Sequence, residues 1–135
     1  MMTTNPTTAA LINRLALGSM FIAHGLLKWL VFTLEGAAGF FVPVGLPGWL
    51  AYVVTFAEII GGSAIVLGIR TRWVVAALLP VLAGAAWVHW GNGWVFNSPN
   101  GGWEYPVFLI VASVVQLLLG DGAPALAPER QRSQG

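Results

Sequence analysis

Residues 49–68 read WLAYVVTFAEIIGGSAIVLG, and this stretch decides the fold class. Its twenty positions carry one charged side chain, that of Glu58, and are otherwise almost entirely apolar or small. An α-helix needs about 20 mostly apolar residues to cross the hydrocarbon core of a bilayer. We therefore predict a transmembrane helix here, with an acidic residue near its centre and a tightly packing surface around Gly61 and Gly62.

Three other apolar stretches predict further spanning helices. They cover about residues 9–32, 73–90 and 105–120. Within a bilayer the backbone groups of a segment must be hydrogen-bonded internally, which favours helices. We predict an all-α fold, an integral membrane four-helix bundle that forms a single domain over residues 1–135, with a disordered C-terminal tail at 123–135.

The composition agrees with a lipid environment and narrows the function. Hydrophobic residues make up 57% of the chain and charged residues 8%, whereas a soluble domain carries about 25% charged residues. The net charge of +1 offers no basic surface for nucleic acid. The absence of cysteine excludes disulfides, thiolate nucleophiles and cysteine-ligated clusters. Any redox chemistry therefore needs electrons carried by a bound molecule or by a partner subunit.

The distribution of lysine and arginine predicts the orientation. In a four-span arrangement five of the six basic residues fall on one side, and only Lys28 falls toward the other. Because cytoplasmic loops carry an excess of Lys and Arg, we predict that both termini and the turn at residues 69–72 are cytoplasmic. The N-terminus lacks the charged region of a signal peptide, so the first helix is expected to be retained. The five residues are Arg14, Arg70, Arg72, Arg130 and Arg132.

Ionisable side chains inside spans are costly, so each one needs an explanation. A helix rises about 1.5 Å per residue, which places His24 and Glu58 each about 15 Å above the cytoplasmic end. The same rise places Lys28, His89 and Glu104 about 21–24 Å above that end. We therefore expect all five groups to lie in the outer half of the bundle and to point into one interior cavity.

The first two spans are expected to meet at their polar residues. His24 and Lys28 lie four residues apart, on one face of the first helix. Gly25 on that helix and the small residues after Glu58 predict a close approach. Contact of Glu58 with His24 or with Lys28 would lower the burial cost of both members. Each of these residues also has an explanation without a functional role. Glu58 could form a structural ion pair, and the side chains of Lys28 and Glu104 could extend to the membrane interface.

Aromatic residues are concentrated toward the outer side. Trp94 and Trp103 lie in the loop between the third and fourth spans, where we expect them to cover a ligand together with His89 and Glu104. Ordinary anchoring at the membrane interface explains most of the tryptophans. No metal site is predicted, because the histidines and Glu58 show no metal-ligand spacing.

Five short motifs follow one another along the chain: Arg14-Leu15-x-Leu17-Gly18, His24-Gly25-x-x-Lys28, Glu58-x-x-Gly61-Gly62, Leu67-Gly68-x-x-Thr71-Arg72 and Trp103-Glu104. In this order they resemble the DoxX-like family of small bacterial membrane proteins. The resemblance covers nearly the whole chain, from about Leu11 to Gly122. It implies a four-helix bundle in the cytoplasmic (inner) membrane of a bacterium.

The same resemblance points to quinone chemistry, because the family takes its name from a subunit of a thiosulfate:quinone oxidoreductase. His24, Lys28 and Glu58 are then the candidate catalytic residues. His24 is expected to bond a quinone carbonyl and exchange protons, and Lys28 to stabilise developing negative charge. Glu58 is expected to orient His24 or to carry a proton. A quinone is the expected cofactor, and neither a metal nor a flavin is evident.

Two functions remain open at the level of sequence. The first is a quinone-linked redox protein, a subunit of an oxidoreductase that works with a redox partner. The second is a non-catalytic accessory or assembly subunit, or a small permease-like binding protein. At 135 residues a permease would need to form a homo-oligomer. In either case the lipid bilayer surrounds the chain and nucleic acid is not a partner.

Overall fold

The computed structural model describes residues 3–130, and the regular elements within that range are helical. Those residues form no β-strand, only an isolated bridge between Ile69 and Ala127. The all-α prediction is confirmed. The elements are α1 (Pro6–Leu26), a π-helical turn (Leu27–Val31), α2 (Leu34–Phe41), α3 (Trp49–Leu67), α4 (Thr71–His89), a 3₁₀ turn (Trp90–Asn92) and α5 (Glu104–Leu119).

The four long helices form the predicted bundle. Helix α1 packs against α3 and α5, and α4 also packs against α3 and α5, so the four helices close a ring. The core lies inside this ring and is made of aliphatic and aromatic side chains from all four helices. Its buried members are Leu17, Phe21, Ile65, Val75, Leu78, Leu82 and Leu109.

The short helix α2 was not predicted. Thr33 begins it, because its hydroxyl accepts a hydrogen bond from the backbone N–H of Gly36 at 3.1 Å. Glu35 lies in the first turn, where an acidic side chain is favourable. Ala37 is buried, and α2 packs on α3. The chain therefore has five α-helices within the described range rather than four. The additional helix, α2, is only eight residues long.

Glycines bring α1 and α3 into backbone contact. A Cβ atom added to Gly18 would lie 2.8 Å from the carbonyl oxygen of Gly62, and one added to Gly62 would lie 2.8 Å from the carbonyl oxygen of Gly18. A Cβ atom on Gly25 would lie 2.6 Å from Ile59. Gly61 faces the other way, toward Leu78 of α4. The close approach expected from these small residues is thus present.

The outer surface of the bundle suits lipid. Three segments are long and apolar enough to cross a membrane, namely Pro6–Val31, Trp49–Leu67 and Thr71–Asn92. Helix α5 is apolar but has 16 residues, about 24 Å at the usual rise per residue. Large apolar side chains stand exposed around the ring, among them Leu30, Trp73, Phe108 and Leu118.

The two ends of the bundle differ in what they carry, and we name them accordingly. The loop end holds the π-helical turn, α2 and the loop 93–103. The terminal end holds the start of α1, the turn between α3 and α4, and the segment 121–130 that follows α5.

The segment 123–130 corrects the prediction of a disordered tail. It lies along the turn after α3, where Leu126 donates to the carbonyl of Leu67 at 2.9 Å and Arg70 donates to the carbonyl of Ala127 at 3.0 Å. Helix ends leave backbone groups without intrahelical partners, and the extended segment supplies partners here. The remainder of the predicted tail, 131–135, lies outside the described residues.

Arg14 contributes to the same end in an unexpected way. Its side chain is 2% exposed, so it faces the interior and not the lipid headgroups. The guanidinium donates to the backbone carbonyl of Asp121 at 2.6 Å and also to that of Pro124. Arg14, which the sequence places among the basic residues of the cytoplasmic side, therefore holds the C-terminal segment on the bundle.

Candidate functional site

A largely buried ion pair links the π-helical turn to α3 at the loop end. Lys28 Nζ lies 2.7 Å from Glu58 Oε2, with the lysine side chain 20% exposed and the glutamate 7% exposed. Gly25 makes room for the pair, since a Cβ atom there would lie 3.3 Å from the Cβ of Glu58. Of the two partners that the sequence left open for Glu58, the structure brings Lys28 and not His24 into direct contact.

The π-helical turn positions Lys28. Residues 27–31 wind with one extra residue per turn, a local geometry that often accompanies functional sites. From this turn Lys28 Nζ also reaches the backbone carbonyl of His24 at 3.4 Å. An ammonium group has three N–H donors. Two of them are directed at Glu58 and His24, so one donor remains for another acceptor.

Tyr105 joins the two histidines. Its ring stacks on that of His24, with centroids 5.0 Å apart and an interplanar angle of 12°. Its hydroxyl lies 3.2 Å from Nε2 of His89. Sequence reasoning missed Tyr105 because it ranked candidates by charge, and a phenol is neutral. The signal was nonetheless present, since Tyr105 directly follows Glu104 at the start of a span.

The hydrogen-bond partner of His24 assigns the proton on its imidazole, and His89 has partners on both ring nitrogens. His24 Nδ1 lies 2.7 Å from the carbonyl of Met20, which can only accept, so Nδ1 carries hydrogen. His24 Nε2 makes no hydrogen bond within residues 3–130. Asn92 donates to the carbonyl of Gly101 at 2.9 Å and directs the same amide nitrogen at His89 Nδ1, 3.5 Å away. His89 therefore lies between Tyr105 on its Nε2 side and Asn92 on its Nδ1 side.

We call Lys28, Glu58, His24, Tyr105 and His89 the polar cluster. It draws on α1, the π-helical turn, α3, α4 and α5, so all four spanning segments contribute. Four of the five charged or titratable groups predicted for the site belong to it.

Glu104 does not join the polar cluster. Its carboxylate accepts the backbone N–H of Phe96 at 3.1 Å and so fastens the loop 93–103. The expectation that it points into one cavity with the other four groups is therefore wrong, because the start of α5 turns its side chain toward the loop. Trp94 and Trp103 pack on each other, with ring centroids 4.8 Å apart, and Trp103 stacks on Trp90.

Comparison with known proteins identifies the family. The sequence model of the DoxX family matches residues 9–90. The chain belongs to the DoxX family. A protein of Bacillus subtilis (strain 168) named "Putative oxidoreductase CatD" is 33% identical over 119 residues, which are 87% of this chain and 84% of the relative. No solved structure matches the chain significantly. This DoxX protein is accordingly a multi-pass membrane protein.

The matched range of the DoxX model contains most of the polar cluster. His24, Lys28, Glu58 and His89 fall within residues 9–90, whereas Tyr105 falls outside. In this DoxX protein no group of three or more His, Cys, Asp or Glu side chains within residues 3–130 is arranged to hold a metal ion.

The DoxX bundle also has an apolar groove between α1 and α5. Its volume is about 430 Å³. It opens on the lipid-facing side, away from the Lys28–Glu58 pair, so it is not the interior cavity that the sequence predicted. It is lined mainly by Ala9, Ile12, Ala16, Met20, Phe108 and Ala112.

Proposed function

We propose that this DoxX protein is a membrane-embedded, quinone-linked redox protein whose headgroup site is the polar cluster. One observation carries the proposal. The ion pair of Lys28 and Glu58 adjoins a His24 ring whose Nε2 has no partner within residues 3–130, at the loop end of a bundle that faces lipid. Ionisable groups at membrane depth mark functional sites by default.

The chemistry of the polar cluster suits a quinone headgroup. A quinone presents two carbonyl oxygens on a flat apolar ring, and such oxygens need hydrogen-bond donors. The remaining N–H of Lys28 supplies one donor, and His24 supplies a second when its Nε2 is protonated. The flat stack of His24 on Tyr105 supplies an aromatic surface. When bound, a quinone would take up electrons together with protons, so the chain itself needs only to handle protons.

Each residue then has a defined role. When it is protonated on both ring nitrogens, His24 donates to a carbonyl oxygen through Nε2 and can give up that proton there. Lys28 stabilises negative charge on the headgroup, and Glu58 holds Lys28 in place at 2.7 Å. Tyr105 stacks on His24, and its hydroxyl is hydrogen-bonded to His89, which lies beside Asn92 and the loop 93–103.

The surroundings of the protein form part of the proposal. The sequence contains no cysteine, so electrons are expected from a redox partner subunit or from a second bound molecule. The relative's name, an oxidoreductase, supports this class of chemistry. The proposed location is the bacterial cytoplasmic membrane, and assembly into a homo-oligomer is compatible with the exposed apolar surface.

A second function is favoured by a separate observation. Glu58 and Lys28 satisfy each other, and His89, Tyr105 and Asn92 are bonded among themselves. Such a network also suits an accessory or assembly subunit in which polar side chains fix the helices together. In that case the cluster binds nothing.

Quinone content distinguishes the two functions. Purified protein is extracted, its quinone is quantified by mass spectrometry, and a quinone analogue is titrated into the His24→Gln and Lys28→Gln variants. Loss of one hydrogen bond, about 1 kcal/mol, should weaken binding about fivefold in each variant. Glu104→Gln is the matched control, because Glu104 is bonded to the loop. Equal binding by all variants, or no quinone in the wild type, favours the accessory function.

A further inference from the structure

We infer that the groove between α1 and α5 holds the hydrocarbon tail of a quinone whose headgroup lies against His24. The inference rests on the proposed function and extends it, because it selects a long-tailed, lipid-soluble quinone over a small soluble one. It also fixes how the ligand enters, which is sideways from the bilayer between two helices.

The groove ends within one helical turn of His24 and Tyr105 of the polar cluster. Met20 lines the groove and lies one helical turn below His24, to which its carbonyl is bonded at 2.7 Å. Phe108 lines the opposite wall and lies three residues after Tyr105, on the same face of α5. The rings of His24 and Tyr105 stack across the two helices at 5.0 Å. The stacked rings therefore lie one turn beyond Met20 and Phe108, toward the loop end.

The size of the groove fits a single chain. From Ala9 to Met20 it extends about 16 Å along α1. A volume of about 430 Å³ over that length has a mean cross-section of about 27 Å². A helix about 10 Å across would need about 80 Å². A hydrocarbon tail fits, and a helix from a second copy does not.

The chemistry of the groove also favours a tail. Its walls are apolar, and the amide of its one polar residue, Asn13, is occupied by donation to the carbonyl of Ala112 and to Gln116. At the far end, residues 3–8 carry no charge, and the guanidinium of Arg14 is directed at Asp121 and Pro124. The residues that line the groove include no cation for a phospholipid phosphate. The donor groups lie at the opposite end, beside His24.

The test compares a long-tailed quinone with the same headgroup lacking the tail. Ala16→Leu fills the groove, and Ala77→Leu adds the same bulk to exposed surface of α4 as a matched control. Loss of about ten carbon–carbon contacts should weaken binding of the long-tailed quinone about fivefold to thirtyfold. Binding of the tail-less headgroup should stay within about twofold, since its hydrogen bonds are unchanged.

The outcomes distinguish a failure of the proposed function from a failure of the groove assignment. If neither quinone binds the wild type, the proposed function fails and the groove assignment fails with it. If both bind and Ala16→Leu leaves their affinity ratio unchanged, only the groove assignment is overturned.

A second measurement uses the unmodified protein, so it does not depend on a variant that folds. A quinone with a photoreactive group in its tail is cross-linked, and the labelled peptides are identified. Labels at residues 9–20 and 108–112 support the groove. Labels spread over all lipid-facing helices, or labels at the groove from a photoreactive phospholipid that quinone does not displace, overturn it.

Discussion

The loop end and the terminal end each contain a basic side chain that is largely buried in the bundle, but the two side chains have different partners. Lys28 at the loop end meets the carboxylate of Glu58 and stays 20% exposed. Arg14 at the terminal end meets the backbone carbonyls of Asp121 and Pro124 and is 2% exposed. A cation bonded to backbone fixes the path of the chain, whereas one bonded to a side chain at an open edge can exchange partners with a ligand.

The acidic groups show the same contrast. The carboxylate of Asp121 accepts the backbone N–H groups of Thr71 at 3.2 Å and Glu129 at 2.9 Å, so it too fixes the backbone. Glu58 instead accepts from a side chain at 2.7 Å. The terminal end therefore uses its charges to hold the fold. At the loop end Glu104 likewise holds backbone, the N–H of Phe96, but the pair of Lys28 and Glu58 keeps its charges on side chains.

The two ends are expected to lie on opposite sides of the membrane, which is the largest difference predicted between them. Reporter fusions at the C-terminus and at the Arg70 turn should read cytoplasmic, and a fusion within residues 91–102 should read extracytoplasmic. Arg70, Arg72 and Arg130 are exposed at the terminal end and set this orientation. A cytoplasmic signal from the loop fusion, or an extracytoplasmic C-terminus, would contradict it.

The prediction of orientation counted five arginines, and two of them no longer support it as exposed charges. Arg14 is buried, and Arg132 lies outside the described residues. The exposed basic residues at the terminal end within residues 3–130 still outnumber Lys28 by three to one, so the predicted direction is unchanged.

The next largest effect is expected at the terminal end. Arg14→Met removes two charge-assisted hydrogen bonds and leaves two carbonyls without a partner, which should lower the free energy of unfolding by about 3–6 kcal/mol. It should also expose the segment 121–130 to proteolysis. Thermal unfolding and limited proteolysis in detergent measure both effects. Arg130→Met, at an exposed position, serves as the control, and equal stability of the two variants would show that Arg14 is not structural.

A smaller loss of stability is expected at the loop end. Glu58→Gln leaves the ammonium of Lys28 without its anion. Breaking a buried pair costs about 3–5 kcal/mol, but we expect about 2–3 kcal/mol here because a partly exposed lysine can turn toward water. The Glu58→Leu/Lys28→Met double variant should lose less than the sum of its single variants. Additive losses in equilibrium unfolding would mean that the pair contributes nothing.

The sequence predicted the features that depend on local spacing. The approach of α1 and α3 followed from small residues around Gly18 and Gly62, which are close in the structure. Counting helical rise placed Glu58 level with His24 and about one turn below Lys28, but the contact that forms is with Lys28, whose long side chain spans that turn. The short turn at residues 68–70 followed from Gly68, which adopts a left-handed conformation with φ of 72°.

Features that depend on distant contacts were not predictable in this way. Arg14 near a helix start looks like an interfacial anchor, and its acceptors lie 107 and 110 residues away. The segment 123–130 is rich in Pro and Ala, a composition typical of disorder, and its order comes from pairing with residues 67–70. Tyr105 carries no charge, so only its position against His24 and His89 reveals its part in the polar cluster.

The hydrogen bond between Arg14 and Asp121 also affects the order of events during synthesis of the chain. A chain is synthesised from its N-terminus at about 5–20 residues per second. The 107 residues between the two partners therefore separate their emergence from the ribosome by roughly 5–20 seconds. During that interval the first helix carries a guanidinium without its native acceptors. The terminal end is thus completed only after residues 121–124 have been synthesised, and a chain released before residue 121 lacks the groups that hold its own first helix in place.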